Sequence, residues 1–213
     1  MVFKDRRDAA EQLGRALAAH AGSHPLLLAI PRGAVPIAAV LAQRLGGDLD
    51  LVLVRKLHAP GAPEFAVGAI DESGWMYLAP HAASVRASST YLEEQKALEL
   101  QELARRRRLY TPGRPAISAQ GRTAIVVDDG LATGATMVAA LHAVRRQAPL
   151  RLVCAVPVGS PEGIQLVSEH ADEVVCLEVP RRFGAVSLFY ESFPQLRDQE
   201  VIDLLQSTAS RPA

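Results

Sequence analysis

The sequence predicts an α/β fold: a mainly parallel central sheet with helices on both faces, plus a small hood and a helical and hairpin insert. Three observations carry this. Short runs rich in Leu, Ile and Val stand at 26–30, 51–54, 123–127, 150–156 and 174–179. Such runs suit strands that a parallel sheet buries on both faces. Segments of helical period separate most of them, the pattern of βαβ units closing onto one sheet. The third observation is a strand-to-helix junction at 127–136, Val-Asp-Asp-Gly-Leu-Ala-Thr-Gly-Ala-Thr, in the position where open α/β sheets take up ligands.

The elements follow in order. Ala10, Leu13, Leu17 and Ala18 share one face of a helix over 6–20. Strand 26–30 ends in Pro31-Arg32-Gly33, and a helix over 34–45 is stopped by Gly46-Gly47. Strand 51–54 leads into Arg55-Lys56 and a loop rich in Pro and Gly at 59–63. Runs at 65–70 and 75–78, joined by Asp71-Glu72-Ser73-Gly74, read as a hairpin. A long charged helix spans 88–109, and helices cover 135–146 and 162–170. The tail holds Phe183, Phe189, Tyr190 and Phe193 before a short helix at 199–205. The 213 residues thus read as a single domain, with a core over about 26–179, an insert over about 64–114 and a C-terminal hood over about 180–206.

Composition narrows the function classes. Lys plus Arg equals Asp plus Glu, 23 against 23, so no global field draws the chain to nucleic acid or to a membrane surface. No stretch is apolar for long enough to span a bilayer, and the charged start Lys4-Asp5-Arg6-Arg7 is unlike a secretory signal. Cys154 and Cys176 lie apart in apolar strand runs, which reads as two buried thiols in a reducing cytoplasm. The expected setting is cytoplasmic.

Each residue type in the junction at 127–136 has a physical task. Gly130 and Gly134 allow positive φ and bring backbone N–H groups close to a ligand. Successive N–H groups at a helix start form an anion nest, to which Thr133 and Thr136 add hydroxyls. A phosphate monoester suits this loop. Asp128 and Asp129 would repel a phosphate, and suit instead a sugar diol or a hydrated divalent cation. Together they describe a site for ribose 5-phosphate. The junction is not a Walker A loop, since no Lys follows Gly134.

On these residues the chain resembles the type I phosphoribosyltransferases, whose signature binds phosphoribosyl pyrophosphate (PRPP). The segment 126–137 is especially similar to the form in adenine and orotate enzymes. The resemblance implies that Asp128 and Asp129 hold the ribose hydroxyls and that Gly130, Ala132, Thr133, Gly134, Ala135 and Thr136 cradle the 5-phosphate. It implies Mg²⁺ carried by PRPP, with Asp128 and Asp129 as further ligands, a nucleobase-like acceptor, and a homodimer. Arg32 and Gly33 are similar to the family's pyrophosphate loop, where a cis or strained non-proline peptide often occurs. Arg55 and Lys56 match an Arg-Lys pair of adenine enzymes, which implies that they join Arg32 and Gly33 on the pyrophosphate; they are otherwise a solvated strand end. Phe183, Phe189 and Tyr190 stand where the family places its base pocket, and equally suit core plugs. Ala132 replaces an acidic residue of the hypoxanthine-guanine enzymes, which speaks against those two bases.

The activity expected is transfer of 5-phosphoribosyl from PRPP to a nitrogen nucleophile with release of pyrophosphate; no residue offers itself as general acid or base. Two rivals share the fold: a silent regulator that senses PRPP or a nucleotide, and a pyrophosphohydrolase. Arg105 to Arg108 keep an RNA-binding role open, though four cations ending a helix more often meet solvent. A lid is needed to shield PRPP from water, and 57–63 is its expected hinge.

Overall fold

A computed structural model describes residues 2–80, 82 and 88–209. Residues 81 and 83–87, at the start of the charged insert, lie outside the described residues. Five parallel strands form the main sheet in the order β2-β1-β6-β7-β8: β1 (Leu26–Ala29), β2 (Asp48–Leu51), β6 (Thr123–Val127), β7 (Arg151–Val158) and β8 (Glu173–Glu178). Side chains alternate across it. Leu27, Ala29, Ile125, Val127, Val153 and Ala155 pack on one face, towards α1 (Arg6–Ala16) and α2 (Val35–Leu45). Leu26, Leu28, Ala124, Val126, Leu152 and Cys154 face α4 (Ala135–Arg145) on the other. Each Leu buried in this way contributes about 1.5–3 kcal/mol, so two covered faces explain why all five residues of β6 are apolar or β-branched and buried.

Local signals set the helix ends. Asp5 caps α1 by accepting from the N–H groups of Arg7 and Asp8, and Pro36 starts α2, which ends at Gly46 with φ 68°. Helix α5 (Pro161–Ser168) begins with Ser160 as cap and Pro161 inside it. The sheet order makes β1 and β6 neighbours, with Ala29 opposite Val127. The loops after these two strands therefore lie side by side.

The expected strand 51–54 is corrected. Core strand β2 ends at Leu51, and the chain enters a separate antiparallel sheet of β3 (Val54–Ala59), β4 (Ala62–Asp71) and β5 (Met76–Leu78). Arg55 and Lys56 therefore sit within a strand, opposite Ile70 and Ala69, instead of after one. The Pro60-Gly61 pair is a two-residue turn between Ala59 and Ala62, with Gly61 at φ 68°. Residues 57–63 are thus paired strand ends with register shifts beside His58, in place of the open hinge loop expected. Antiparallel pairing with β4 decided this, and a run judged alone does not carry its partner. Ala69 of β4, with Trp75 and Tyr77, packs on Ala135 and Ala139 of α4, and the Trp75 ring stacks on His142 at 3.6 Å.

The charged helix is α3 (Ser89–Tyr110). Three of its four C-terminal arginines are tied to acids. Arg105 and Arg106 bond Glu102, and Arg107 bonds Glu72 at the hairpin turn. Helix α6 (Asp198–Ala209) closes the described chain, with Val201 and Leu205 in the core. Cys154 is buried and Cys176 half-buried, both as free thiols, and burial pushes the Cys176 thiol up to about 11. Among the described residues no helix is long and apolar enough to cross a membrane.

Candidate functional site

Strand β6 delivers Asp128 and Asp129 to the cleft floor. The backbone N–H of Asp129 donates to Asp128 Oδ1 at 2.8 Å, which fixes the Asp128 carboxylate over the next peptide. Asp128 keeps some accessible surface, yet protein crowds it on its other sides. Burial first, and the charge of Asp129 second, hold its carboxyl well above the usual range, while Lys56 and Arg6 pull it back. Burial raises Asp129 as well, against the Arg6 guanidinium.

The loop after β1 meets this pair directly. The peptide Pro31–Arg32 is cis, as the resemblance implied. A Cβ on Gly33 would lie 1.9 Å from Asp129 Oδ2, so only glycine lets the loop approach so closely. Arg32 Nη1 stands 3.6 Å from Asp198 Oδ1, and the Tyr110 hydroxyl donates to the same oxygen at 2.6 Å.

The loop 130–136 differs from expectation at one glycine. Gly134 has φ 82° and caps α4, but Gly130 is absent from the positive-φ residues. Gly130 is needed because a Cβ there would lie 2.5 Å from Val186 of the tail. Ala132 and Thr133 are exposed, and among the described residues no backbone or side-chain acceptor meets the N–H groups of Ala132, Thr133 and Gly134. These unmet donors, on exposed Ala132 and Thr133 and buried Gly134, stand at a helix start beside Ala135 and the half-buried Thr136, as an anion site requires. Ser160 braces the loop by donating to the Ala132 carbonyl while accepting from the Gly163 N–H. Ser160→Ala is expected to cost about 1–2 kcal/mol as a lost cap. Its thermal melt and the hydrogen exchange of 131–136 check this; unchanged exchange there would show that the brace does not reach the loop.

The two cations of β3 part company. Arg55 Nε donates to Glu99 Oε2 of α3 at 2.6 Å, so the structure turns Arg55 away from the acidic pair. Lys56 is exposed, has no partner among the described residues, and its charge reaches Asp128.

Arg6 was missed in the sequence. Its Nε and Nη2 donate to Asp129 Oδ2 at 3.0 and 2.9 Å, its Nη1 donates to the Pro194 carbonyl, and its guanidinium lies 3.8 Å from the Phe193 ring centre. The signal was there: Arg6 falls on the buried stripe with Ala9, Ala10 and Leu13, and a charge on an apolar helix face needs a partner.

The tail covers the acidic pair. The Phe3 N–H donates to the Phe189 carbonyl, and the Tyr190 ring packs against Phe3 and Phe193 at 5.4 and 4.8 Å. The Tyr190 hydroxyl donates to the Asp129 carbonyl at 2.7 Å, and burial raises its pKa. Tyr190 is therefore a buried brace, whereas Phe183 and Phe189 are half-buried and stack on each other at 5.6 Å. A cavity of about 270 Å³ opens among Arg6, Arg32, Gly33, Asp129 and the tail segment 193–196. A second, of about 270 Å³ and mostly apolar, lies away from these residues between Leu28, Val52, Ile117 and Arg107.

Comparison with known proteins gives this geometry a family. The phosphoribosyl transferase domain matches residues 2–191. A candidate phosphoribosyl transferase of Mycobacterium tuberculosis is 40% identical over 205 residues, 96% of this chain, and the chain spans 46% of that protein's length. The crystal structure of TT1426 from Thermus thermophilus is 45% identical, with a TM-score of 0.82 over 98% of this chain and 99% of that one. The chain belongs to the phosphoribosyl transferase domain family.

Proposed function

We propose that the protein transfers 5-phosphoribosyl from PRPP to a nitrogen nucleophile, a nucleobase or a close analogue, and releases pyrophosphate. The observation that carries this is the union of three features at adjacent strand ends: the carboxylates of Asp128 and Asp129, the N–H groups of 132–134 that no described acceptor meets, and the Arg32-Gly33 loop pressed on Asp129. The ribose diol takes its place on the carboxylates, the 5-phosphate takes the N–H groups and the Thr133 and Thr136 hydroxyls, and the pyrophosphate meets Arg32 and Lys56. The acceptor lies under the tail, with Phe183 and Phe189 as its apolar wall.

The chain's work is positioning and electrostatics. Asp128 and Asp129 orient the sugar and counter the positive charge that grows on its ring. Arg32, steadied by Asp198, counters the charge gathering on the departing oxygens. Tyr190 fixes the main chain of Asp129 and keeps water from its buried side. The residues present fit Mg²⁺ brought by PRPP: the partly accessible carboxylate of Asp128 would be its protein ligand. When bound, the ion neutralises part of the pyrophosphate charge.

The test is incubation with PRPP, Mg²⁺ and a panel of nucleobases, following pyrophosphate. Release that depends on one base is the expected result. Release without any base would replace transfer by hydrolysis, and PRPP binding without release would make the protein a sensor.

A further inference from the structure

We infer that Arg6 is a pyrophosphate-binding residue: it rests on Asp129 in the ligand-free protein and exchanges that carboxylate for the pyrophosphate when PRPP arrives. The inference rests on the proposed transferase reading and adds to it a residue contributed by the N-terminal helix, outside every strand-end motif.

Four observations lead to it. Arg6 spends two N–H groups on one oxygen of Asp129, the residue that the transferase reading gives to the ribose diol. That oxygen already has the Gly33 backbone against it, so sugar and guanidinium compete for the same carboxylate. Arg6 and Arg32 line one cavity, with Gly33 and Asp129 between them, so an anion seated on Arg32 lies within the cavity that Arg6 already faces. The aromatic and carbonyl contacts to Phe193 and Pro194 hold the guanidinium by its face and by Nη1, leaving Nε and Nη2 as the pair that changes partner.

The energetics favour an exchange over a loss. A buried ion pair contributes little net stability, yet removing one partner leaves a costly unpaired charge. Arg6 has only 10% of its side-chain surface accessible, so once sugar hydroxyls claim Asp129 it needs another anion nearby. Pyrophosphate is that anion, and a planar fork suits its oxygens. The contact also explains why the tail, through Phe193 and Pro194, docks on the side of the cleft that holds Arg6.

The test compares two ligands in one protein. Mg²⁺–PRPP and ribose 5-phosphate share the sugar and the 5-phosphate but only the first carries pyrophosphate. Calorimetry on the wild type, Arg6→Met and Arg6→Lys gives the ratio of the two affinities, which cancels any general loosening of the site. Arg6→Met is expected to weaken PRPP roughly 10- to 100-fold, the range of a lost charged hydrogen bond, and to leave ribose 5-phosphate unchanged or tighter because Asp129 is freed. Arg6→Lys, which keeps a cation but not the fork, falls between and serves if the Met variant is unstable. Equal losses for both ligands would make Arg6 a structural brace and overturn the inference, as would unchanged PRPP affinity. A wild-type protein that binds neither ligand removes the transferase reading itself, an outcome distinct from either.

Discussion

Asp128→Asn combined with Asp129→Asn is expected to weaken PRPP binding by roughly 3–6 kcal/mol, at about 1.5–3 kcal/mol for each charged hydrogen bond, while the protein stays folded. Asp128 also opposes folding. Asp128 is a carboxyl that burial, then its charged neighbour, hold well above the usual range. Such a group binds its proton more tightly folded than unfolded, so stability falls as pH rises from the ordinary carboxylate range towards the raised value. Asp128→Asn removes that fall. The variant should melt higher than the wild type at neutral pH, with the gap closing at low pH, even as it loses PRPP. Titration calorimetry and melts across pH read the two effects separately. A lower melting temperature for Asp128→Asn at neutral pH would mean that the carboxylate is held for stability and not for a ligand.

Gly33→Ala is expected to destabilise the protein by about 1–3 kcal/mol and to weaken PRPP as well. The added methyl would sit 1.9 Å from Asp129 Oδ2 and 2.5 Å from its Cγ. Arg6 pins that carboxylate with two hydrogen bonds, so the loop must retreat and carry Arg32 with it. The clash is with one side chain, so Gly33→Ala joined to Asp129→Ala should recover part of the lost stability. A double variant as unstable as the sum of the singles would place the strain in the loop's own backbone instead.

The core was legible because its information is local. The five apolar runs became the five parallel strands apart from the second, and the Asp-Asp-Gly-Leu-Ala-Thr-Gly loop stands between β6 and α4 as expected. Residues 54–59 were misassigned because β4, not the run itself, made them a strand in another sheet. Gly130 was read for its freedom of φ, whereas a neighbour more than fifty residues on in the sequence, Val186, excludes any side chain there. The ties that complete the site join distant positions: Arg6 to Asp129, Arg32 to Asp198 and Phe3 to Tyr190. Spacing rules reach three or four residues along a helix, and no such rule spans these pairs. The one trace they left was Arg6 on an apolar stripe.

The knot of Phe3, Arg6, Asp129, Tyr190 and Pro194 bears on how the molecule comes into being on the ribosome. Arg6 bonds a residue 123 positions later and another 188 positions later. At the usual pace of about 5–20 residues per second, the helix bearing Arg6 waits many seconds for the carbonyl of Pro194. Through that interval β1, β6 and β7 can pair and bury their side chains, but the acids at their ends stand uncovered. The nascent chain is thus a folded scaffold with an unfinished cleft. The cleft closes only once residues 189–194 have emerged, when Phe189 accepts from the Phe3 N–H and Phe193 covers the Arg6 guanidinium opposite Asp129.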